Sequence, residues 1–198
     1  MSVRLLTLAL CCVLAPTMLH ASSPTDAVAL VKKTLDGAAA IARAGGDRNE
    51  SLAKLRTAVR EILDTKAMGR RAIGDVLAAQ PPEQQAEYLE LFDEVMIHAY
   101  LSKLLLFRDP HFEYSPPVRR DGSLIVRTRI VTAKDEYRVD YEMQEHDDRW
   151  LATDILVEDI SLTQNYHAQF ESLLRDHSFA ELLDLMRSKT QAGRKEAP

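Results

Sequence analysis

The sequence predicts an α+β domain in which helices pack on one face of a curved antiparallel sheet. Three observations carry that expectation. A helical apolar period runs from Thr25 to Phe107, a two-residue period broken by tight-turn signals runs from Phe112 to Asp159, and a helical period returns after Ser161. The chain has 198 residues, 46% hydrophobic and 28% charged, which is the makeup of an ordinary globular domain and not of a disordered chain. A domain of this size buries roughly 70% of its unfolded surface and needs no staples. Twenty-five Lys and Arg stand against thirty Asp and Glu, for a net charge of -5. That balance argues against a nucleic-acid partner held by a positive field.

The first helix is expected from Thr25 to Ala44, with Val28, Val31, Leu35, Ala38 and Ala42 on one face and Gly45-Gly46 as its stop. A second begins near Asp47 or Asn49 and places Leu52, Leu55, Val59, Ile62 and Leu63 on one stripe. Asp64-Thr65 caps a shorter segment through Leu77. Pro81-Pro82-Glu83 opens a long helix to about Phe107, since proline suits the first turn and glutamate the positive end of the helix dipole. Its apolar side is expected to carry Leu89, Phe92, Val95, Met96, Ala99, Tyr100 and Leu104, and it ends in the continuous apolar row Leu104 to Phe107. After Asp109-Pro110 the period changes to two. A strand over Leu124 to Thr132 sets Val126, Thr128 and Ile130 opposite Arg127 and Arg129. The next alternates Tyr137, Val139, Tyr141 and Met143 with Arg138, Asp140 and Glu142, and a third runs from Trp150 to Asp159. Links as short as Glu145 to Asp148 join only antiparallel neighbours. Ser161 and Gln164 form a capping box for a helix bearing Leu162, Tyr166, Phe170, Leu173 and Leu174. A short helix with Phe179, Leu182, Leu183 and Met186 follows, and residues 188–198 read as a flexible polar tail.

Residues 1–21 read as a secretory signal peptide: Arg4, an apolar run from Leu5 to Ala15, Pro16, and a segment ending at Ala21. The charge-free stretch Leu5–Leu19 is shorter than the ~20 residues a membrane span needs. Cys11 and Cys12 both lie inside this leader, so the expected mature domain, residues 22–187 plus the tail, carries no cysteine. That suits an oxidising compartment such as the bacterial periplasm and excludes thiol chemistry.

Motifs for catalysis are missing. The chain has no G-x-S-x-G, H-E-x-x-H, G-x-G-x-x-G or P-loop. His98, His111, His146, His167 and His177 show no ligand spacing. The run Glu145, His146, Asp147, Asp148 could be drawn as a metal site but falls where a hairpin turn expects polar residues. Asp154 and Glu158 share a strand face, which reads better as a wet side than as an acid/base pair. Arg70-Arg71 and Arg119-Arg120 suit a phosphate but read first as surface pairs. No catalytic residue, metal ligand or cofactor is expected. What stands out is apolar surface, with Met68, Met96, Met143 and Met186 adding adaptable side chains.

The stretch Trp150-Leu-Ala-Thr-Asp154-Ile-Leu-Val157-Glu158-Asp-Ile-Ser161-Leu162-Thr-Gln-Asn165-Tyr166-His-Ala-Gln-Phe170 resembles the signature of the MlaC, or toluene-tolerance, family of periplasmic lipid-binding proteins. It matches without a gap, and Val126-Arg127-Thr128 and Val139-Asp140-Tyr141 look like the family's strand motifs. Asp159 stands where the family usually has Gly, and His167 where it usually has Arg, which suggests a divergent branch. The resemblance implies a carrier without enzymatic activity that encloses the acyl chains of a glycerophospholipid in an apolar pocket and shuttles it between inner and outer membranes. Its implied partners are the phospholipid cargo, an inner-membrane substrate-binding ring with its ABC transporter, and an outer-membrane lipoprotein complex. At ~0.8 kcal/mol per buried CH₂, two chains with about thirty methylenes cost roughly 24 kcal/mol to expose to water, so a shuttle needs an enclosed slot. Its expected walls are Met96, Tyr100, Leu104, Val126, Ile130, Val139, Tyr141, Met143 and Ile155. A hopanoid carrier, an envelope interaction protein with a solid core, and a lipid-modifying enzyme such as an acyl hydrolase, which the missing nucleophile motif disfavours, are the alternatives.

Overall fold

The computed structural model describes residues 23–44, 47–104 and 110–195. The expected leader 1–21, the row Leu105 to Phe107 and the Leu104 side chain lie outside the described residues. Four helices come first: α1 (Pro24–Ala44), α2 (Arg48–Ile62), α3 (Thr65–Ile73), which runs into a 3-10 turn at Gly74–Ala79, and α4 (Pro82–Leu104). Asp47 and Asp64 cap α2 and α3 by accepting from the amides of Glu50 and Ala67, both at 2.8 Å.

The sheet comprises β1 (His111–Tyr114), β2 (Val118–Arg120), β3 (Ser123–Val131), β4 (Glu136–His146), β5 (Arg149–Val157) and β6 (Ile160–Ser161), followed by α5 (Leu162–Leu174) and α6 (Phe179–Lys195). It is an open six-stranded sheet in the order β1-β3-β4-β5-β6, with β2 also on β3, and every pairing is antiparallel. Two-residue loops close three of the hairpins: Asp121-Gly122, Asp147-Asp148 and Glu158-Asp159, all at positive φ. Paired left-handed residues give a turn whose twist matches that of the strands it joins. The acidic run at 145–148 is thus a strand end and its turn.

Side chains on the inner face, from Val126 and Ile130 to Tyr141 and Ile155, join α1, α2 and the Ile97–Leu101 turn of α4 in one core. Arg127 and Arg129 point away and are exposed. A second core gathers α3, α5, α6 and the Tyr88, Phe92 and Met96 side of α4. The long helix is therefore apolar on two sides, and the single stripe expected for it divides: Leu89, Phe92 and Met96 serve one core, Ile97, Tyr100 and Leu101 the other.

Alternation along β5 breaks at one point, and two further expectations are corrected. By strict alternation Trp150 falls on the face of Asp154, but the register shifts between Glu142 and Met143, which face Asp154 and Ala152, leaving Thr153 as an extra residue on β5. That bulge reverses the parity, so Trp150, Ala152 and Ile155 all enter the inner core. Asp154 is not on a wet side: it is 2% exposed. The polar tail expected from residue 188 is helical as far as Lys195, because Arg187 ties α6 to Glu87 of α4 and Gly193 lies against the His98 ring. The short strands β2 and β6 were not legible as strands at all.

Candidate functional site: an apolar cavity at the seam of two cores

A cavity of about 850 Å³ opens between the inner sheet face and helices α4 and α5. Each wall follows from a local period. α4 presents Met96, Ala99 and Tyr100, three and four residues apart, and α5 presents Leu162, Asn165, Tyr166 and Gln169 on the same principle. From β4 come Tyr137, Val139 and Tyr141 at spacing two, from β3 Ile130, from β5 Ile155 and Val157, and from just past the end of β3 Thr132. The link between β3 and β4 closes the outline with Ala133, Lys134 and Asp135. Met96 belongs to one core, Tyr100 to the other, and Leu162 packs on both, so the space lies along their seam. A methylene takes about the room of a water molecule, ~30 Å³, so this volume holds on the order of thirty methylenes.

Polarity inside the slot is self-satisfied. The Tyr100 and Tyr141 hydroxyls are 2.7 Å apart, one donating to the other. Burial pushes the Tyr100 hydroxyl up to about 12 against the opposing effect of that hydrogen bond. Burial first, and then the neighbouring Tyr100, raise Tyr141 well above the ordinary range. Both phenols stay neutral at physiological pH, as an apolar wall requires. Thr128 on the same face donates to the Val139 carbonyl at 2.6 Å.

A buried carboxylate positions the α5 wall. Asp154 accepts from Ser161 Oγ at 2.5 Å, from Thr163 Oγ1 at 2.8 Å and from the amides of Ile155 at 2.8 Å and Thr163 at 3.1 Å. Ser161 Oγ in turn accepts from the Gln164 amide at 2.9 Å, which is the expected cap. Arg71 of α3 stands 3.9 Å from the same carboxylate and 3.3 Å from Glu142. Asp154 is thus a structural clasp between β5 and α5, while Glu158 is exposed and accepts from the Arg138 amide. His167, the other departure from the family pattern, has Nδ1 3.0 Å from the Ala72 carbonyl and so joins α5 to α3.

Of the expected wall residues, Met96, Tyr100, Ile130, Val139, Tyr141 and Ile155 line the cavity. Val126 and Met143 do not; both are fully buried in the core. The cavity occupies the end of the β3–β4 pair where Ile130 faces Tyr137, whereas Leu124 and Met143 pair at the other end. Sequence reasoning missed the α5 side and the β3–β4 link. The helical spacing of Leu162, Asn165, Tyr166 and Gln169 was a signal for the first, and Tyr137 already lay on the predicted inner parity. Among the described residues no group of His, Cys, Asp and Glu is placed to hold a metal ion, and no helix is long and apolar enough to cross a membrane.

Fold and cavity together define a container: an open sheet and helices around a slot sized for long apolar chains. The MlaC protein family model matches residues 30–188, and the chain belongs to the MlaC family. A phospholipid-binding protein from Ralstonia solanacearum, solved in complex with a phospholipid, is similar in structure, with a TM-score of 0.73 at 23% identity over 85% of this chain and 98% of that one. No curated protein matches the chain.

Proposed function

We propose that this protein is a periplasmic carrier of glycerophospholipid, exported with residues 1–21 removed, which moves its cargo between inner and outer membranes. The observation that carries this reading is the cavity itself: about 850 Å³ lined by Met96, Tyr100, Ile130, Val139, Tyr141 and Ile155 in a chain of the MlaC family. The phospholipid complex of the Ralstonia solanacearum protein supports it, since that protein shares the fold. Binding and release, not bond cleavage, are the activity such a slot performs. Its docking partners are an inner-membrane substrate-binding ring with an ABC transporter and an outer-membrane lipoprotein complex, where contact opens the pocket. Native mass spectrometry of protein purified without detergent tests the reading. Near-stoichiometric release of a two-chain phospholipid on denaturation is expected. A hopanoid in its place changes the cargo, and a protein that stays empty after incubation with liposomes is an envelope scaffold instead.

A further inference from the structure

Burial of acyl chains favours any two-chain lipid alike, so discrimination between headgroups has to occur where the cavity meets water. There the described lining carries two charges, Lys134 and Asp135, adjacent and of opposite sign, and both residues are exposed. Their backbone is fixed by Thr132, whose amide donates to the Asp135 carbonyl at 2.8 Å and whose Oγ1 accepts from the Asp135 amide at 2.9 Å and the Lys134 amide at 3.3 Å. The next charge along, Glu136, is paired with Arg129 at 2.9 Å. Among the described residues the Lys134 and Asp135 side chains have no ion-pair partner of their own. Asn165 and Gln169, exposed on α5, add amide groups to the same lining.

We propose that Lys134 and Asp135 form a headgroup clamp that selects phospholipids bearing an amine: the Lys134 ammonium meets the phosphate and the Asp135 carboxylate meets the headgroup ammonium. The inference rests on the carrier reading. A phosphate followed by an ammonium presents the same alternation of charge as this pair, in reverse. An anionic headgroup without an amine still offers its phosphate to Lys134 but leaves Asp135 with no cation to pair, and diacylglycerol leaves both side chains unmatched.

The test loads delipidated protein from vesicles holding equal parts of phosphatidylethanolamine, phosphatidylglycerol and diacylglycerol with identical chains, and reads the composition of the bound lipid by mass spectrometry. Wild type is expected to enrich phosphatidylethanolamine over phosphatidylglycerol by roughly two- to five-fold, the range an exposed ion pair supports. Asp135→Asn brings that ratio close to the vesicle value, Asp135→Lys reverses it, and Lys134→Gln raises the share of diacylglycerol. Equal ratios in wild type and Asp135→Asn overturn the clamp and leave the carrier standing. Failure of the wild type to take up any of the three lipids overturns both.

Discussion

A single carboxylate decides how firmly the α5 wall of the cavity is held. Asp154 accepts hydrogen bonds from Ser161, Thr163 and the Ile155 amide while 2% exposed, so removing it strands several donors away from water. Asp154→Ala is expected to lower stability by about 3 kcal/mol in urea denaturation. Asp154→Asn, which keeps one acceptor oxygen, should lose clearly less; equal losses would show that the charge and not the acceptor matters. The family's usual Gly at position 159 also has a physical reading, because Asp159 sits at φ +65. A β-branched residue there costs about 1–2 kcal/mol, so Asp159→Val should destabilise by that amount. Asp159→Gly should stay within about 0.5 kcal/mol of wild type, since the relief of φ is offset by a more flexible unfolded chain. The exposed pair with Arg138 adds little to either comparison.

At the scale of elements, the last helix shows what periodicity misses and what tertiary contacts add. Ser188 to Lys195 has no apolar stripe and reads as a tail, yet Arg187 hydrogen-bonds Glu87 of α4 at 2.6 Å and the segment continues along α4. The Arg187 hydrogen bond holds the Glu87 carboxyl below its ordinary range. A carboxylate depressed in the folded state contributes stability above its unfolded value, and that contribution is lost as pH falls through the folded value. Wild type should therefore exceed Glu87→Gln in stability at neutral pH by up to ~1 kcal/mol, with the gap closing below the normal glutamate range. Denaturation of both proteins between neutral pH and pH 3 or so measures it, and a gap that is constant with pH would mean the pair contributes nothing. Legibility followed the same division. Elements with their own apolar period and cap, such as α2 behind Asp47 and β4 from Tyr137 to Met143, were readable. Features that depend on a partner were not: the two-residue strand β6, and the β5 bulge that turns Trp150 inward, where its indole donates to the Ser23 carbonyl at 3.0 Å.

For the whole molecule, parity along a strand says which face a side chain takes but not what stands opposite it. Val126 and Tyr141 are register partners on one face, yet Tyr141 borders open space and Val126 meets packed helix. A core residue and a cavity wall ask for the same apolar side chain, so the sequence showed which strand residues face inward without showing which of them border the slot. The distinction has a thermodynamic consequence. An empty slot of about 850 Å³ leaves its walls without packing partners on one side, and a ligand that binds only the folded state stabilises it by about 2.7 kcal/mol at a hundredfold excess over Kd. For a domain of this size that is a rise in Tm of roughly 5–10 °C. Protein stripped of lipid should show this rise when reloaded from phospholipid vesicles. Val139→Trp, which places a large ring in the slot from the middle of β4, should take up less lipid and gain correspondingly less in Tm. Met143→Ala, in the solid core, should instead lose about 2–5 kcal/mol in the lipid-free state while keeping the full rise on loading. If both variants lose the rise equally, the boundary drawn between wall and core is wrong; if neither does, the slot is not where lipid binds.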